Sequence, residues 1–133
     1  MKRFFKMFVV LMVLALVSCH LPGCATFSRL STEEKITAAY VTAGESMVAI
    51  HSSWKELREA GKVTDEQNAK FNSLFNKAKE TYLLMGTFEI AALTAIDTAS
   101  KQGAIAAFNE AANKLPELLL EIQALIKFVK GGK

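Results

Sequence analysis

Apolar side chains return along this chain at alternating steps of four and three. Ile36, Tyr40, Ala43, Met47, Ile50, Trp54 and Leu57 share one face at that period, the seam of an amphipathic helix. Ser31 with Glu34 three residues later matches a capping box, in which hydroxyl and carboxylate each satisfy a free backbone amide, and Gly61 is placed for a left-handed C-cap. These signals predict a first helix over about 32–60. Thr64 and Gln67 repeat the start signal at once, with Asp65 and Glu66 complementing the positive end of the helix dipole. The connection around Gly61–Val63 is short, so the two helices should fold back as an antiparallel hairpin.

The second stripe comprises Phe71, Phe75, Ala78, Tyr82, Met85, Ala92 and Ile96, widened by Leu74, Leu84 and Phe88. A face this wide suits two neighbours. Gly86 interrupts it, and an interior glycine costs about 1 kcal/mol relative to alanine and permits a kink. Helix-forming residues nevertheless continue to Ser100, which predicts one element over about 65–100 and a turn at Gly103. A third helix over about 104–130 carries Phe108, Ala112, Leu118, Leu119, Ile122, Leu125, Ile126 and Val129, with Pro116 expected to kink or split it. No stretch alternates as a half-buried strand does. The pattern therefore predicts an all-α, up-down-up bundle of three long helices, with a coiled-coil homo-oligomer built on the first helix as the structural alternative.

Candidate chemistry is sparse. The histidines are His20 and His51; His51 lies one position off the seam, where a boundary histidine is expected, and no HExxH spacing occurs. Glu89 falls on the second stripe, and Asp97, eight residues on, would point in a similar direction on a straight helix. A buried glutamate can be a perturbed acid, but the simpler account pairs Asp97 with Lys101 and places Glu89 at the edge of a wide stripe. No catalytic residue, metal site or small-molecule substrate is assigned, and the chain is not expected to be an enzyme. The aromatic and apolar set Phe71, Phe75, Tyr82, Met85 and Phe88 either packs as core or faces a partner or an apolar ligand between splayed helices.

The first 24 residues follow different rules. Lys2, Arg3 and Lys6 precede an apolar run from Met7 to Val17, shorter than the roughly 20 residues that span a bilayer, and this is the anatomy of a secretory signal. An uncleaved apolar anchor is the other reading of the same run. Leu16-Val17-Ser18-Cys19 resembles the lipobox of bacterial lipoproteins. The resemblance covers the signal only. It implies cleavage between Ser18 and Cys19, diacylglycerol on the Cys19 thiol and N-acylation of the new terminus. Leu21-Pro22-Gly23-Cys24 is a competing match that would make Cys24 the acylated residue and residues 1–23 the signal. Cys19 is favoured because it abuts the apolar run and because Pro22 departs from the pattern. A disulfide between the two cysteines is the ordinary alternative in an oxidising compartment.

On this reading residues 1–18 are the signal, 19–30 a lipidated tether and 31–133 one helical domain. The signal also carries the whole charge excess. Lys2, Arg3 and Lys6 are the difference between 16 basic and 13 acidic residues, so the mature chain is formally neutral and lacks the basic footprint of nucleic-acid binding. The expected partners are the membrane, reached through the anchor, and an envelope protein or a second copy. Neither His20 nor Ala25, the residues after the two cysteines, is the aspartate that retains such lipoproteins at an inner membrane. The periplasmic leaflet of an outer membrane is therefore expected in a host that has one. A looser similarity, without a residue motif, connects the chain with small prophage-encoded lipoproteins of lysis or superinfection exclusion.

Overall fold

A computed structural model describes residues 29–131 of the 133. The chain divides into two units, Met1–Lys35 and Ile36–Lys133. Among the described residues of the first, Ser31 N–H donates to Glu34 Oε2 at 2.7 Å and Glu34 N–H donates to Ser31 Oγ at 3.2 Å, the reciprocal pair that the sequence predicts. These bonds stabilise the carboxylate and hold Glu34 below its ordinary pKa.

Three helices follow: α1 (Thr32–Glu59), α2 (Asp65–Thr94) and α3 (Thr98–Gly131). No strand occurs among the described residues. The all-α, three-helix architecture expected from the periodicity is present. The α1–α2 turn closes as anticipated: Gly61 takes φ +65°, its N–H donates to Arg58 O at 2.9 Å, and Lys62 N–H donates to Leu57 O at 3.0 Å. That pair of bonds is a Schellman cap, which satisfies carbonyls left over at the helix end. Thr64 then starts α2, accepting from Gln67 N–H at 3.2 Å while its own N–H donates to Gln67 Oε1 at 2.9 Å.

The third helix departs from expectation at its start. α2 ends at Thr94 and α3 begins at Thr98, so Ala95–Asp97 is the connection and Gly103 lies inside α3. The reason is Asp97. Its carboxylate accepts from Ser100 N–H at 2.8 Å and from Ser100 Oγ at 2.6 Å, an N-cap that outweighs the helix-forming alanines around it. Pro116 lies inside α3, which runs unbroken from Thr98 to Gly131, so no split occurs there. The proline is on the exposed side, where water can bond the carbonyl its missing N–H would have served.

The core joins all three stripes. Ile36, Met47, Ile50, Trp54 and Leu57 of α1 face Phe71, Leu74, Ala78, Met85 and Ala92 of α2 and Phe108, Ala111, Leu115, Ile122, Leu125, Ile126 and Val129 of α3. Two expected core positions are outside it. Leu84 is half exposed because it lies off the stripe, and Ile96 is wholly exposed because it belongs to the connection rather than to α2.

The backbones of α2 and α3 approach closest, and small Ala78, Ala92 and Ala111 are among the buried residues of these two helices. α1 meets α2 through rings instead. Tyr40 stacks on Tyr82 with centroids 4.5 Å apart and planes 3° from parallel, and Trp54 stacks on Phe71 at 4.4 Å and 3°. Each tyrosine reaches across to a glycine on the facing helix. A methyl group added at Gly44 would stand 2.6 Å from Tyr82 Oη, and one at Gly86 would stand 2.8 Å from Tyr40 Oη. Gly86 therefore makes room for a ring, and α2 continues through it without a break.

Gly61 offers a clean test of the turn. Nothing lies within 4 Å of a Cβ built there, so Gly61→Ala adds no clash and isolates the cost of a left-handed backbone. The expected loss is about 1–2 kcal/mol in urea unfolding; an unchanged midpoint would show that the cap contributes nothing.

Candidate functional site

Ser18, Cys19 and Cys24, the residues assigned to cleavage and lipidation, lie outside the described residues. The structure does place every other candidate. Phe71 and Met85 are buried in the core, while Phe75, Tyr82 and Phe88 are partly buried against it. Phe71 is sandwiched by stacking, with Trp54 on one side and Phe75 at 5.3 Å, and Tyr82 is engaged by Tyr40. These five side chains thus pack in the core or against it.

A groove of about 390 Å³ opens between α1 and α2 near their turn, lined by His51, Trp54, Lys55, Arg58, Glu59, Phe71 and Asn72. Of the five, Phe71 alone touches it. Its rim is polar: Lys55 and Glu59 form an exposed ion pair at 3.7 Å, worth little in stability. His51 is exposed and packs its ring on Phe75 at 5.4 Å, tilted by 40°, which is the boundary position that its place beside the seam implies. Trp54 forms the floor and is almost wholly buried. Its indole N–H donates to Asn68 Oδ1 at 3.1 Å, so the ring's one polar group is satisfied inside the hairpin.

Glu89 and Asp97 do not form a carboxylate pair. Glu89 is in α2 and buried, the one charged residue classed as buried among those described. Asp97 is beyond the end of α2, where its two bonds to Ser100 hold its carboxyl below the usual value. Lys101 donates its backbone N–H to Asp97 O at 3.1 Å. The eight-residue spacing therefore loses its meaning, because the helix ends between the two. Burial pushes the Tyr82 hydroxyl up to about 12, with neighbouring Tyr40 and Glu89 adding to the shift. No group of three or more His, Cys, Asp or Glu side chains among the described residues could hold a metal ion.

The least expected feature is on the surface. Leu83, Leu84, Ile90, Leu93 and Ile96 are each half exposed or more, along the second half of α2 and into the connection that follows. The signal was present in the sequence: from Thr81 to Ser100 the charged residues are Glu89 and Asp97. Reading the segment as one long buried helix concealed its exposed side. Tyr40-x₃-Gly44 and Tyr82-x₃-Gly86 form a second overlooked signal, a repeated spacing that pairs each ring with a glycine across the hairpin.

Comparison with known protein families, curated proteins and solved structures finds no match to this chain.

Two measurements probe this region. Asn68→Ala leaves the buried indole N–H of Trp54 without its acceptor and should cost about 1–2 kcal/mol, read from urea unfolding by the emission of the single tryptophan. Equal midpoints would remove the bond from the account. The raised Tyr82 pKa predicts an alkaline limb: the protonated hydroxyl's contribution is whole below its ordinary pKa of 10.0 and is lost as pH rises through about 12. Tyr82→Phe should flatten the decline in helicity between those values. An identical alkaline profile in both proteins would contradict the shift.

Proposed function

We propose that this chain is a bacterial envelope lipoprotein whose helical body serves as a small interaction or structural module. Acylation of Cys19 tethers the body through residues 19–30, and the periplasmic face of an outer membrane is its site in a host with two membranes. The observation that carries the reading is the order of features in the sequence: three cations, an apolar run too short to span, and Leu16-Val17-Ser18-Cys19 directly before a body of opposite character. Two acyl signals hold a protein at a bilayer far more firmly than one, each buried methylene contributing about 0.8 kcal/mol.

The body supports an interaction role rather than a chemical one. Its aromatic residues stack on one another, its carboxylates Glu89 and Asp97 are separated, and its groove is rimmed by an ion pair. The partner is an envelope protein or a second copy, met by surfaces outside the core.

Intact mass analysis of membrane-extracted wild type, Cys19→Ala and Cys24→Ala tests the proposal. The expected result is acyl mass on the wild type, and loss of that mass with accumulation of precursor in Cys19→Ala alone. A wild-type protein retaining Met1 and carrying no acyl mass would overturn it.

A further inference from the structure

We infer that the end of the bundle formed by the last turns of α2 and the α2–α3 connection inserts into the lipid surface to which the chain is tethered, through Ile90, Leu93 and Ile96. Leu93 is half exposed, Ile90 about two-thirds and Ile96 wholly, an arrangement that leaves three large apolar side chains in water at one end of the molecule. Charge is sparse along this stretch of the chain. Between Thr81 and Ser100 the charged residues are Glu89, which is buried, and Asp97, whose exposed carboxylate accepts from Ser100. The remaining exposed positions there are mostly alanine and threonine, which cost little at a headgroup boundary.

Chain connectivity selects lipid as the occupant. Tyr40 lies opposite Gly86, so in an antiparallel hairpin Ile36 lies opposite Ile90. The chain therefore enters the body at this same end, and not at the α1–α2 turn, which lies roughly 45 Å away along α2. A tether over residues 19–30 spans at most roughly 40 Å when fully extended, so this end is the one with the shorter path of chain to the anchor. No helix among the described residues is long and apolar enough to cross a membrane, so the contact is a shallow insertion of side chains. This inference rests on the lipoprotein reading for its choice of surface. It adds a second attachment that orients the body and turns the α1–α2 groove away from the bilayer.

Quenching by brominated lipid tests it on the full chain reconstituted from membranes into phosphatidylethanolamine and phosphatidylglycerol vesicles. Trp54, nearly wholly buried, is the internal reference. Ile96→Trp should add blue-shifted emission that bromine on the acyl chains lowers at least twofold, whereas Lys62→Trp, in the distant turn, should add emission that bromine leaves unchanged. An Ile96→Trp signal at the wavelength of exposed indole and insensitive to bromine overturns the inference. So does a blue-shifted signal that bromine spares and dilution abolishes, because the surface is then met by protein. The mass of the same preparation separates the two readings. Quenching without acyl mass sustains the insertion and removes the lipid anchor; acyl mass without quenching sustains the anchor and removes the insertion.

Discussion

Two tyrosine rings lying face to face, each reaching over a glycine of the opposite helix, fix how α1 sits on α2. A helix pair packed through alanines can approach closely, as α2 and α3 do; stacked aromatic rings need more room. The space for Tyr40 and Tyr82 is made by leaving out a Cβ at Gly86 and Gly44. That arrangement sets the separation of the two axes and locks their register, because sliding by one turn would place each ring against a residue with a side chain. Trp54 on Phe71 continues the same aromatic layer toward the turn. Downstream of it lie the Asn68 acceptor, the Schellman cap at Gly61 and the box at Thr64.

The bundle is consequently asymmetric. One interface is close and built from small residues, the other is wider and aromatic, and the polar-rimmed groove lies along the wider one. Glu89 is buried near the tyrosines, and its charge contributes to holding the Tyr82 hydroxyl protonated. Charged side chains populate the α1–α2 turn region, and Ile90, Leu93 and Ile96 are exposed toward the other end of α2. In the proposed lipoprotein these two ends take different tasks, attachment at one and exposure to the envelope at the other.

Most of the fold was legible because the stripe on α1 is continuous and its ends carry strong local signals. All seven predicted positions from Ile36 to Leu57 are buried or partly buried, and both capping boxes form as expected. What failed was a competition between weak propensities and one side chain. The alanines around Ile96 favour a helix, but Asp97 accepting from Ser100 restarts the backbone three residues beyond Thr94. That boundary also decides the fate of two site readings, since it separates Asp97 from Glu89 and exposes Ile96. The ring-on-glycine contacts depend on two segments meeting across a turn, so spacing along one helix could suggest Gly86 as a kink and not as a socket. Lipidation remains a matter of sequence pattern, carried by residues outside the described part of the chain.

The central claim is that these glycines exist to admit the rings, and the sign of one substitution tests it. In a helix interior, glycine to alanine ordinarily stabilises by about 1 kcal/mol. At Gly86 the added methyl would meet Tyr40 Oη at 2.8 Å and Cζ at 3.0 Å, so Gly86→Ala should instead destabilise by about 1–3 kcal/mol through overpacking. A double-mutant cycle with Tyr40→Phe, which removes the atom in closest contact, should recover part of that loss and give a coupling of at least about 0.5 kcal/mol in urea unfolding. A stabilising Gly86→Ala, or strictly additive costs in the cycle, would contradict the interlock and with it the account of how α1 is placed.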